Sequence, residues 1–287
     1  MEAGLTVKIL ELFYYKAAIG NFGDDLNPIL WPKLLGDLSR YNPEYTFVGI
    51  GSVLDERLNM GCKKIIFGGG VREVKPELEK THCDFRFVRG PLSAKALGEV
   101  PYITDSAYCL KLLPDMLPAP KKRYKKSIIP YFRHKNTFNW TRFEQFTGIH
   151  FIDVSAPVSQ VLEEIAASER IICGAMHGAI AADILRVPWM RLRFGVHGYE
   201  TEKTSTLKWN DWQLSMQMEH VPFIDIPQQK INGLKSVYAW NKVKFYGSFY
   251  KQLQQKGRYH LSKESVLNEK VEKLEVALAS LKNDYAL

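Results

Sequence analysis

The sequence predicts an α/β protein of two similar halves, each carrying a parallel sheet. Short β-branched or aromatic runs alternate with helical patterns along most of the chain, which is the repeat of βαβ units. Three of the first four such runs end in glycine, as strands do where the chain turns sharply. A stretch with three prolines and a basic cluster, "LPDMLPAPKKRYKKS" at 113–127, interrupts the alternation and reads as a linker. A length of 287 residues suits two domains of about 100 to 150 residues, each with its own core.

The first domain is expected over 1–118. Its strands are "VKILELFYY" (7–15), "YTFVGIG" (45–51), "KIIFGGG" (64–70) and "DFRFVRG" (84–90), with helices near 26–38, 52–60 and 91–98. The second domain, 119–262, resumes with strands at 127–132, 149–154, 170–174 and 189–194, and helices near 139–147, 157–168 and 177–187. It ends in "KSVYAWNKVKFYGSFYKQLQQKGRYH", where seven aromatics are mixed with six Lys or Arg. Such a helix suits either a core or an anionic membrane surface. In the last piece, 263–287, Leu267, Val271, Leu274, Leu278, Leu281 and Tyr285 recur at intervals of 4, 3, 4, 3 and 4, which makes an amphipathic helix. Its apolar seam serves either a homo-oligomer or docking on the body of the same chain.

Composition narrows the function classes. Hydrophobic residues at 46% and charged residues at 24% are ordinary for a globular protein. No apolar run approaches the roughly 18 residues of a membrane span, and the first 16 residues lack the clean apolar core of a signal peptide, so a cytoplasmic protein is expected. Cys62, Cys83, Cys109 and Cys173 match no metal or disulfide pattern and read as core residues. The net charge of +8 is concentrated in "KKRYKK" (121–126) and between Pro227 and His260, where there are seven Lys or Arg and no Asp or Glu. This suits an anionic substrate or an acidic surface. No zinc-finger, RRM or helix-turn-helix pattern accompanies it, so nucleic acid is not expected as a partner.

In open α/β sheets ligands bind beyond the carboxyl ends of the strands, and that is where the candidates lie. His177, in "CGAMHG", follows a strand and opens a helix, where an imidazole can act as acid, base or anion contact. Gly174 and Gly178 beside it suit close approach of a ligand. Arg89 ends the strand "DFRFVRG", placed either to clamp a carboxylate or phosphate or to tie the strand to a helix by a salt bridge. Lys208 and Asp211 in "KWNDWQ" share a face if the segment is helical, between two tryptophans of core character. Asp24, Asp25 and Asp105, at strand-loop ends, suit sugar hydroxyls or helix caps equally. No metal-binding motif is present, so no metal is expected.

Taken in order, "GNFGDDLN", "GIGSVL", "FGGGV", "FVRGPLSAKAL" with "ITDSAYCL", "CGAMHGAIAADILRVPW" and "TLKWNDWQ" resemble the blocks of the polysaccharide pyruvyl transferase family, over about residues 18 to 220. The resemblance implies two Rossmann-like domains facing across a cleft, a fold of the GT-B kind. It also implies transfer of the pyruvyl group of phosphoenolpyruvate onto a sugar diol as a cyclic ketal, with phosphate released and no cofactor beyond the donor itself. Arg89, His177 and Lys208 match the family's motif arginine, histidine and lysine. Asn21, Asp24, Asp25, Ser52, Gly69, Gly70, Asp105 and Asp211 fall in its blocks as substrate-binding candidates. Many relatives carry an arginine two residues before the histidine, where this chain has Ala175, so Arg133, Arg191 or Arg193 is expected to supply that charge. A lipid-linked acceptor would bring the enzyme to the inner membrane face through the basic aromatic segment. Two other readings remain open: a GT-B nucleotide-sugar glycosyltransferase, and a non-catalytic carbohydrate-binding or scaffold subunit.

Overall fold

A computed structural model describes residues 11–38, 44–59, 61–136, 138–194, 200–219, 221–226, 246–254 and 258–285. Two all-parallel sheets form. The first is ordered β1 (Glu11–Leu12), β2 (Tyr45–Val48), β3 (Lys63–Phe67) and β4 (Cys83–Phe87). The second is ordered β6 (His150–Phe151), β5 (Ser127–Ile129), β7 (Ile171–Cys173), β8 (Trp189–Phe194) and β9 (Phe223–Ile226).

Parallel strands are buried on both faces, and the two-residue period of a strand divides these side chains between two cores. Ile65 and Phe67 of β3 join one cluster while Ile66 joins another; in β7, Ile171 and Ile172 divide in the same way. The inward-facing residues of both sheets enter a single continuous core. It is completed by α1 (Phe22–Asp25), α2 (Asn27–Leu35), α5 (Val158–Ala166), α6 (Met176–Ile184) and α7 (Glu202–Ser215). The outer face of the first sheet packs α3 (Pro91–Ala96). The outer face of the second packs α4 (Trp140–Thr147) and α8, residues 246–254.

The expected helix at 52–60 is reduced to a 3-10 turn, Glu56–Leu58. Asp55 accepts the Arg57 amide at 3.2 Å, and a side chain that bonds its own backbone competes with helix formation. The sequence reading missed β9 and the 3-10 helix Ser106–Leu112, which Asp105 caps.

The C-terminal helix α9, Glu264–Asp284, turns its seam onto its own chain. Leu267, Leu274, Leu278 and Leu281 are buried in the continuous core, and the Tyr285 hydroxyl donates to Asp84 at 2.6 Å. The seam is therefore covered within one chain. Much of the basic aromatic segment, including Lys242 and Lys244, lies outside the described residues; its described helix α8 puts Tyr246, Phe249 and Leu253 into a core and leaves Lys251 exposed. Cys109 and Cys173 are core residues, whereas Cys62 and Cys83 are only half-buried, at the strand starts. Among the described residues no helix is long and apolar enough to cross a membrane.

Candidate active site

The carboxyl ends of both sheets open on a pocket of about 90 Å³. Asn27 fixes one wall: its side chain donates to the carbonyls of Asp24 and Ile50 and accepts the Ile50 amide, which joins α1 to the loop after β2. His177, in the first turn of α6, enters from the opposite half. Its ring packs closely on Gly23, where a Cβ would stand 2.0 Å from Nδ1. On the far side Nε2 is 3.6 Å from Asp105 Oδ2, too long for a hydrogen bond but close enough for the carboxylate to orient the ring. Burial pushes the Asp105 carboxyl up, and His177, Arg89 and the Ala107 amide together outweigh it, so its pKa falls below the usual carboxylate value. Asp105 therefore stands behind the imidazole, outside the pocket lining. A methyl group at position 23 must displace the ring. Gly23→Ala is expected to lower kcat about 100-fold, the order of loss caused by misplacing a catalytic group by about 1 Å, while the melting temperature moves little; parallel kinetic and melting measurements check this.

Of the residues singled out from the sequence, Asn21, Asp24, Ser52, Arg133, His177 and Lys208 line the pocket. Asp24 is 6% exposed, and its carboxyl is pushed up to about 6 by burial, against the pull of His177, Lys208 and the Asn21 amide. Lys208, from α7, pairs with Glu200 at 3.2 Å. Burial pushes the Glu200 carboxyl up, and Lys208, the Tyr131 hydroxyl and Arg72 bring it below its ordinary value. Sequence reasoning missed Glu200, Tyr15, Arg57 and Arg72, which also line the pocket. Arg57 is held by Asp55 through Nε at 2.7 Å and Nη2 at 2.5 Å.

Of the three arginines expected to replace the charge missing at Ala175, Arg133 reaches the wall, where it donates to the Tyr15 hydroxyl at 3.1 Å. Arg191 is instead buried between the rings of Trp209 and Phe223, at 4.9 and 4.7 Å. Arg193 pairs with Asp225 and Glu202.

Five of the substrate-binding candidates, Asp105 among them, do not line this pocket, and neither does Arg89. Arg89 and Asp211 are both fully buried, with Nε 3.0 Å from Oδ2. Asp211 also accepts the amides of Leu92 and Ser93 and the Ser93 hydroxyl, which caps α3 and ties β4 to α7. A buried guanidinium needs such a partner, so the salt-bridge alternative describes this pair. Arg89 meets the site only through Ser52, whose hydroxyl accepts from Nη1 at 2.7 Å. Gly70 makes room for that guanidinium, because a Cβ there would stand 2.3 Å from it. Gly69 packs on the Gly49 carbonyl, and neither glycine lines the pocket. Asp25 accepts the Asn21 amide at 2.8 Å and borders a separate groove with Lys33 and Glu163. Gly174 lines the pocket, whereas Gly178 lets α6 pack on Ile129. Among the described residues no cluster of His, Cys, Asp or Glu could hold a metal.

This pocket combines cations, an imidazole backed by a carboxylate, and a second carboxyl lifted by burial, an arrangement suited to holding an anion and moving protons. The family model described as polysaccharide pyruvyl transferase matches residues 78–193, a span that includes Asp105 and His177. The succinoglycan biosynthesis protein ExoV of Rhizobium meliloti (strain 1021) is 33% identical over 218 residues, covering 74% of this chain and 67% of that protein. The chain therefore belongs to the polysaccharide pyruvyl transferase family and is one of its enzymes.

Proposed function

We propose that this enzyme acts in exopolysaccharide synthesis, moving the pyruvyl group of phosphoenolpyruvate onto two hydroxyls of an acceptor sugar as a cyclic ketal and releasing phosphate. The observation that carries the reading is the pairing of two cavities. The inner one, about 90 Å³, has room for a handful of water-sized groups, in keeping with a three-carbon phosphorylated acid. It opens on an outer cavity of about 560 Å³ that shares Tyr15, Arg57, Arg72 and Arg133 with it and has room for a sugar ring.

In this reading Lys208 and the arginines of the wall grip the donor's carboxylate and phosphate, and preorganised positive charge stabilises the departing phosphate. His177 handles a proton. Arg89 acts at one remove by holding Ser52 in the wall. The two parallel sheets on either side of the pocket support a description as two Rossmann-like domains of the GT-B kind.

Incubation with phosphoenolpyruvate and a panel of saccharides, following inorganic phosphate, tests the proposal. A glycosyltransferase would release a nucleoside diphosphate instead, and a scaffold would consume no donor. Lys208→Met is expected to raise KM for phosphoenolpyruvate about 10- to 100-fold, since a hydrogen bond to a charged group is worth about 1.5–3 kcal/mol. An unchanged KM would remove Lys208 from the donor site.

A further inference from the structure

Ketal formation from an enol phosphate sets a proton count. The first acceptor hydroxyl bonds its oxygen to C2 of the donor while C3 gains a proton and becomes a methyl. The C2–O bond to phosphorus then breaks, its electron pair leaving with phosphate, and the second hydroxyl closes the ring on C2. Two hydroxyl protons are lost; one equivalent ends on the methyl and the other on phosphate. Protons thus enter at the donor methylene and leave at the acceptor oxygens, which are different atoms in space. A single imidazole cannot face both at once, so the chemistry calls for a second proton-handling group.

Two carboxyls line the inner pocket, Glu200 and Asp24. Glu200 is committed to Lys208 at 3.2 Å. Asp24 forms no ion pair among the described residues, and the one described hydrogen bond to its carboxylate comes from the Asn21 side-chain amide to Oδ2. Its other oxygen, Oδ1, faces Gly51, where a Cβ would stand 3.2 Å away. A carboxylate has about four lone-pair sites, so Asp24 keeps acceptor capacity inside the pocket.

Resting on the pyruvyl-transfer reading above, we propose that Asp24 is the catalytic base that takes the proton of the attacking acceptor hydroxyl, leaving His177 to serve the donor. The groups that set its titration are His177 from α6, Lys208 from α7, Asn21 and Asp25 around α1, and Arg57 from the loop after β2. Burial lifts the carboxyl to about 6 against these cations, so it is mostly ionised at neutral pH and still basic enough to accept a proton. The base form is the active one; kcat/KM therefore rises with pH through about 6 and falls away below it.

The test compares Asp24→Asn with the wild type. Trp209 lies in the pocket wall, so quenching of its fluorescence by phosphoenolpyruvate reports donor binding independently of turnover. The variant should bind the donor within about threefold of the wild type and turn over about 10²- to 10⁴-fold more slowly, with the acid limb gone from its residual activity. Asn21→Ala keeps the carboxyl but removes the amide that stabilises its charged form. It should move the acid limb upward by about half a unit to one unit. A limb that stays in place in Asn21→Ala, or an Asp24→Asn enzyme within tenfold of wild-type turnover, overturns the assignment. Failure of the pyruvyl-transfer reading itself looks different, since the wild type would then release no phosphate from phosphoenolpyruvate with any acceptor.

Discussion

Asp211→Ala is expected to destabilise the fold by about 3–5 kcal/mol, the usual consequence of leaving a buried charge without its partner. Arg89 and Asp211 have side chains with no solvent exposure, and their residues are 122 positions apart in sequence. Removal of the carboxylate strands the guanidinium, and it also strips the acceptor from the Leu92 and Ser93 amides at the start of α3. Thermal unfolding should shift by roughly 10 °C, and the urea midpoint should fall in parallel. Asp211→Asn is expected to be milder, because the amide oxygen still accepts from the α3 amides while the charge is lost. Replacing both partners, as in Arg89→Met with Asp211→Leu, should recover much of the loss, since a buried ion pair contributes little over apolar residues of similar volume. Activity should not recover with stability, because the double variant no longer holds the Ser52 hydroxyl in the wall. A double variant as unstable as Asp211→Ala would show that the pair contributes more than mutual neutralisation.

This pair also marks the limit of what the sequence could reveal. Both ends were visible, Arg89 at a strand end and Asp211 on a helix, yet local pattern carries no information about contact across such a separation. The strands were legible because each is a short apolar run with a glycine or a polar break at its end. Helices α4 and α5 were legible from their apolar period, and α6 from its run of small, apolar helix formers after a glycine turn. β9 escaped because four residues with alternating burial give too short a pattern to recognise.

In the site, the strand-glycine-helix junction singled out His177 directly. Gly23 was visible only as one letter of "GNFGDDLN"; the ring that needs its missing Cβ comes from the other half of the chain. Arg57, Arg72 and Glu200 come from separate loops with no recurring spacing. Only the folded chain brings them together.

His177→Gln should cut kcat by about 10³-fold, within the range for loss of a general acid or base, and leave the stability of the protein intact. A histidine kept for structural reasons spends its ring nitrogens on backbone or side-chain partners, and its loss unsettles the helix it opens. Here Nε2 is buried and finds no hydrogen-bond partner among the described residues, and Asp105 Oδ2, 3.6 Å away, is equally unsatisfied. Neither atom is spent on a structural hydrogen bond, so loss of the ring breaks no such tie. Catalytic pairs are often long in the absence of substrate and tighten once charge develops, which explains why this geometry persists. Removing the imidazole should therefore leave the melting temperature nearly unchanged while turnover collapses. Asp105→Asn should keep the ring in place but weaken its orientation, lowering kcat less than His177→Gln does and leaving KM for phosphoenolpyruvate nearly unchanged. If His177→Gln instead lowered stability and activity by matching amounts, the ring would be a packing element and the proton would have to come from elsewhere in the pocket.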